Sequence, residues 1–182
     1  MNRAPQPEAR TLVAGIGNIF LGDDGFGVQT ARRLAERQLP AHIEVVDVGV
    51  RGVHLAYQLL DGYDTLVLVD ATARGEDPGT LYLIEYDGLG GGDTDAAAPA
   101  IDGHRMTPGT VLALLDTLCA GTGGQPPRRV LIVGCEPAST DEGIGLSPPV
   151  SDAVPRAVRL IEELLQGGAP AVAQAPTAEA ST

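Results

Sequence analysis

The chain has 182 residues, 43% hydrophobic but only 3% aromatic, and its 24 acidic against 12 basic residues give a formal net charge of −12. That length fits one domain with an aliphatic, alanine-rich core, and the acidic balance argues against nucleic acid and anionic membranes while favouring a basic or cationic partner. No apolar run approaches the roughly 20 residues of a membrane span, and residues 1–10, with Pro5, Pro7 and Glu8, lack an apolar signal core, so a cytoplasmic protein is expected.

Residues 1–10 read as a flexible leader. From Thr11 to Ile16 a continuous apolar run predicts a strand buried on both faces. It leads into a glycine-rich turn that carries two adjacent carboxylates, Asp23 and Asp24, and whose glycines let the backbone take positive φ and approach a ligand closely. From Gly25 the pattern becomes helical, with Val28, Ala31, Leu34, Ala35 and Leu39 on one face, until Pro40 stops it. A second strand over 43–48 carries Asp47 near its carboxyl end, and a short helix follows over 52–60. The third strand, 65–69, is followed at once by Asp70. After the turn Asp77-Pro78-Gly79 a fourth strand, 80–86, alternates weakly and reads as an edge strand.

Periodicity is lost from Asp87 to Asp102, predicting a mobile loop at about 87–103. The loop ends at Asp102-Gly103-His104, and Thr107-Pro108 supplies an N-cap with proline at the first helical position. Val111, Leu114, Leu115 and Leu118 are the expected apolar face of that helix, with Cys119 also in the core. A fifth strand, 130–134, runs into Cys135-Glu136-Pro137. Ser147 and Pro148 open a last helix whose Val150, Val154, Ala157, Ile161, Leu164 and Leu165 face inward, and 167–182 has the composition of a disordered tail. Alternating strands and helices over 11–166 predict a single α/β domain, a three-layer sandwich with a mostly parallel, roughly five-stranded sheet and helices on both faces. Two cysteines in unlike settings do not make a disulfide framework.

In such sheets ligands collect beyond the carboxyl ends of the strands, where the first loop, Asp47, Asp70 and Cys135 all fall. Three chemistries compete there. A dinucleotide site would use Gly15-x-Gly17, with Asp47 as the ribose-binding acid. Phe20 stands at the third glycine of that fingerprint, however, and Asp23 and Asp24 sit where a pyrophosphate needs positive potential. A cysteine peptidase would use Cys135 with His104 as base, yet no oxyanion-hole motif accompanies it, and a small apolar residue at a strand end is the simpler reading. A divalent metal site would draw Asp24, Asp70 and His104 from three segments, two carboxylates and an imidazole that leave coordination positions open.

Each member has a plainer reading: an acid at the loop caps the helix, an Asp at a strand end turns the chain, a loop histidine bonds backbone. Asp24 is taken as the ligand and Asp23 as the helix cap. His42 is placed at the surface, and His54, near the start of a short helix, behind the proposed ligands.

The run Gly15-Ile16-Gly17-Asn18-Ile19-Phe20-Leu21-Gly22-Asp23-Asp24-Gly25-Phe26-Gly27-Val28 closely resembles the opening motif of the [NiFe]-hydrogenase maturation endopeptidases. Val45-Val46-Asp47, Leu68-Val69-Asp70-Ala71 and Gly134-Cys135-Glu136-Pro137 continue the resemblance, which extends from about Leu12 to Leu165. It implies an endopeptidase that removes the C-terminal extension of a nickel-loaded large-subunit precursor, reading the nickel that the substrate carries through Asp24, Asp70 and His104. It implies no organic cofactor, and a monomer is expected. Two features depart from the family: Asp47-Val48-Gly49-Val50 stands where many members read Asp-Gly-Gly-Thr, and the loop before His104 is longer and richer in glycine. A non-catalytic nickel-sensing chaperone is the alternative, with a dinucleotide-binding oxidoreductase behind it.

Overall fold

A computed structural model of the chain describes residues 9–87 and 107–167. Most of the leader, the loop, His104 and nearly all of the tail lie outside the described residues. Five strands, β1 (Thr11–Ile16), β2 (Ile43–Gly49), β3 (Thr65–Ala71), β4 (Leu81–Glu85) and β5 (Arg129–Cys135), form one sheet in the order β2-β1-β3-β5-β4. All neighbours are parallel except β4, which pairs antiparallel with β5 at the edge where its weak alternation had placed it.

The central strands β1 and β3 are the continuous apolar runs. A strand covered on both faces cannot alternate polar with apolar residues without burying unpaired polar groups. Helices α1 (Phe26–Ala35) and α4 (Pro148–Leu165) cover one face over a cluster that includes Val13, Phe26, Val67, Leu131 and Ile161. Helices α2 (Gly52–Leu59) and α3 (Pro108–Thr122) cover the other over Leu12, Ile16, Leu55, Leu68 and Leu115. The three-layer expectation therefore holds. Among the described residues no helix is long and apolar enough to cross a membrane.

Two local expectations change. Helix α1 ends at Ala35, so Leu39 packs against the core from the following segment rather than from the helix face. In α3 the buried stripe is Val111, Leu112, Leu115 and Cys119, with Leu114 and Leu118 only half-buried. Leucines surround this helix, so hydrophobicity alone does not choose the buried face; the distance to the sheet does.

Three glycines of the opening motif are packing devices. A Cβ on Gly15 would lie 2.2 Å from the Gly27 carbonyl oxygen, and one on Gly27 would lie 2.1 Å from the Val69 oxygen and 2.2 Å from that of Ile16. Helix α1 therefore starts almost in backbone contact with β1 and β3. Gly17, at φ +135°, lets the chain cross directly over the carbonyl of Asp24, 1.9 Å from where its Cβ would stand.

Candidate active site

The site begins with a register shift. Gly15 pairs with Asp47 but Ile16 with Gly49, so Val48 is an extra residue on β2, and the bulge turns the end of that strand. Gly49, at φ +57°, then accepts a hydrogen bond from the Gly17 N–H at 3.0 Å, which sets residues 49 and 50 beside the opening loop.

That loop folds as a 3-10 turn, Gly22–Gly25, running directly into α1. Its Asp24 carboxylate accepts the Asn18 N–H at 2.7 Å, and the Asn18 side chain accepts the Phe20 N–H at 3.0 Å. Asp70 stands at the end of β3, 7% exposed. Burial, and next the charge of Asp24, hold the Asp70 carboxyl well above the usual carboxylate range, opposed only by a hydrogen bond from the Ala71 N–H. Both acids line one cleft of about 190 Å³, together with Asn18, Val50, Thr107 and Thr140. Two carboxylates sharing a poorly hydrated floor repel one another, and a cation between them removes that cost.

Of the three expected ligands, the fold thus brings Asp24 and Asp70 together, while His104 lies outside the described residues. The described chain resumes at Thr107, the N-cap of α3, on the cleft wall. Among the described residues no three His, Cys, Asp or Glu side chains form a metal-holding group. Asp47 points away from this chemistry: its carboxylate takes the Arg32 guanidinium of α1 at 2.8 Å, which removes the ribose-binding acid of a dinucleotide site.

Cys135 is fully buried, and burial above all pushes its thiol up to about 12, so a thiolate nucleophile is not available there. Cys119 is buried on α3. His54 is exposed on α2 and is not part of the cleft wall, and His42 is half-buried rather than at the surface.

Asp23 is not the cap of α1. Buried to 1% exposure, it accepts hydrogen bonds from the N–H groups of Ala138 (2.8 Å), Ser139 (3.2 Å) and Ser147 (2.6 Å) and from the Ser147 hydroxyl (2.8 Å). Burial raises its pKa, but these four bonds outweigh that and hold it below the ordinary value. The carboxylate thus ties the opening loop to the segment after β5 and to the start of α4. A short backbone pairing reinforces the link, with the Gly22 N–H donating to Gly143 and the Gly143 N–H to Phe20, each at 2.9 Å.

Glu136 is a second buried acceptor whose role sequence reasoning did not assign. It receives the Tyr82 hydroxyl, the Arg74 N–H (2.8 Å) and the Gly75 N–H (3.2 Å), fixing the segment after β3 against the end of β5. Its one sequence signal is an acid placed directly after an apolar strand and before a proline.

Comparison with known proteins points one way. The HycI hydrogenase maturation protease family model matches residues 28–164. The hydrogenase expression/formation protein HupD of Rhizobium leguminosarum bv. viciae is 30% identical over 174 residues, covering 94% of this chain and 82% of its own. The hydrogenase 2 maturation protease of Escherichia coli is 30% identical over 167 residues, covering 90% and 95%. The solved structure of the hydrogenase maturating endopeptidase HybD from E. coli superimposes with a TM-score of 0.69 at 28% identity, over 87% of this chain and 93% of that one.

Proposed function

The chain belongs to the hydrogenase maturation protease family and is an endopeptidase, and from that premise we propose that it removes the C-terminal extension of a nickel-loaded [NiFe]-hydrogenase large-subunit precursor. The observation that carries the reading is the convergence of Asp24 and Asp70 in one cleft, with Asp70 buried beside a like charge. Such a pair is suited to a cation that arrives with the substrate: the cost of holding the two acids together falls only when a nickel-loaded precursor docks. Metal-free precursor offers no such gain, and the site thereby discriminates finished from unfinished substrate.

His104 completes the set. His104 lies outside the described residues, and its place in the set rests on the family resemblance, which assigns it beside Asp24 and Asp70. Two carboxylates and an imidazole suit a borderline divalent ion and leave positions for the ligands the substrate itself supplies. The nickel so held, as part of the substrate, polarises the scissile carbonyl or a water beside it.

The decisive experiment compares cleavage of nickel-loaded and nickel-free precursor by the wild type and by Asp24→Asn, Asp70→Asn and His104→Ala. Shortening of the loaded precursor alone, lost in each variant, is the expected result. Equal activity on both precursors, or full activity in all three variants, overturns it. Binding of the loaded precursor without shortening would leave only a metal-sensing role.

A further inference from the structure

Resting on that reading, we infer that an exposed apolar stripe along α2 docks the body of the substrate protein, outside the cleft that takes the cleavable segment. Val50 is 51% exposed on the cleft wall; Val53 and Tyr57 follow at 42% and 56%. Val53 and Tyr57 stand one helical turn apart, i, i+4 on α2, and Val50 precedes them in the turn that leads from the cleft into that helix. Helix α2 buries its other side through Leu55, Ala56 and Leu59, so the stripe is surplus to the core. Val50 therefore belongs both to the cleft wall and to the stripe.

Two considerations select the occupant. Three side chains about half exposed offer roughly 300 Å² at most, against the roughly 800 Å² per partner of a stable interface, so the stripe does not sustain a dimer of this chain and works only with a neighbouring contact. That neighbour is the cleft. The matching surface is therefore an apolar patch on the precursor's folded body, next to the segment that enters the cleft.

The test follows association of full-length protein with nickel-loaded precursor by rapid mixing, before cleavage, with Asp24, Asp70 and His104 intact and with or without Val53→Ser and Tyr57→Ala together. Docking on the stripe predicts affinity for the precursor at least tenfold weaker in the combined variant, and a smaller loss in Val53→Ser alone, which keeps Tyr57. At steady state the same pair raises KM about tenfold and leaves kcat within twofold. Unchanged affinity overturns the inference while leaving the proposed function standing. Precursor that binds through the stripe yet keeps its C-terminus overturns the proposed function and leaves the docking. A wild-type dimer that dissociates in the combined variant assigns the stripe to a second copy and overturns the inference.

Discussion

Asp23 accepts both the backbone N–H and the hydroxyl of Ser147, at 2.6 Å and 2.8 Å, across 124 positions of sequence. A single carboxylate thereby joins the loop that carries Asp24 to the start of the last helix. Neutralising it leaves buried N–H donors facing a weaker acceptor. Asp23→Asn is expected to cost about 3 kcal/mol, roughly a 10 °C fall in Tm, and to lower kcat/KM by displacing Asp24. Calorimetry beside the cleavage assay checks both. A variant as stable as wild type would show that Asp23 is not the joint.

Asp70 should behave in the opposite way. Burial, then the Asp24 charge, raise its folded-state pKa above the ordinary 3.8, so any stability it contributes is present below that pH and is lost as pH rises through the folded value. At neutral pH the ionised form is a cost. Asp70→Asn is therefore expected to raise Tm by roughly 2–4 °C, for about 1 kcal/mol, while abolishing cleavage. A destabilised Asp70→Asn would overturn this account of the floor.

Glu136 gives a pH signature of the contrary sign. Burial opposes its charge, but the Tyr82 hydroxyl and the N–H groups of Arg74 and Gly75 outweigh it and hold the carboxyl below its ordinary 4.5. The stability it contributes is complete above pH 4.5 and drains as pH falls through the lower folded-state value. Urea titrations of wild type and Glu136→Gln should diverge most at neutral pH and draw together below 4.5. A gap that stays constant down to about pH 3 would assign the network no such coupling.

Gly27 and Gly121 make a matched pair. A methyl group on Gly27 meets the Val69 and Ile16 oxygens at 2.1 and 2.2 Å, whereas one on Gly121 meets nothing within 4 Å. Gly27→Ala must push α1 off the sheet, costing about 3 kcal/mol and most of the activity. Gly121→Ala, inside α3, should stabilise by up to about 1 kcal/mol with activity unchanged. Similar melting temperatures for the two would contradict the contact.

How far the sequence carried the reader depended on the range of the interaction. Strands β1, β3 and β5 were legible because burial on both faces demands unbroken apolar runs. Asp24 and Asp70 were legible as acids at carboxyl ends, where parallel sheets gather ligands. Asp23 was misread because its partners, Ala138, Ser139 and Ser147, lie more than a hundred positions away, and nothing local separates an acid that caps a helix from one that reaches across the molecule. The opening glycines suggested a ligand cradle, yet Gly15 and Gly27 turn out to serve helix packing, since a sequence shows that a side chain is missing but not which neighbour fills its place.

The pairing of Leu21 with Gly143 has an evolutionary consequence. It is made by backbone groups, at Gly22, Gly143 and Phe20, and Asp23 likewise holds the segment after β5 largely by its N–H groups. Attachment of this kind is blind to exposed side chains between the anchor points, so Glu142 and Ile144 can be exchanged while the acids below keep their places. The fold thus separates the acids of the cleft floor from a rim whose exposed side chains can vary without moving them.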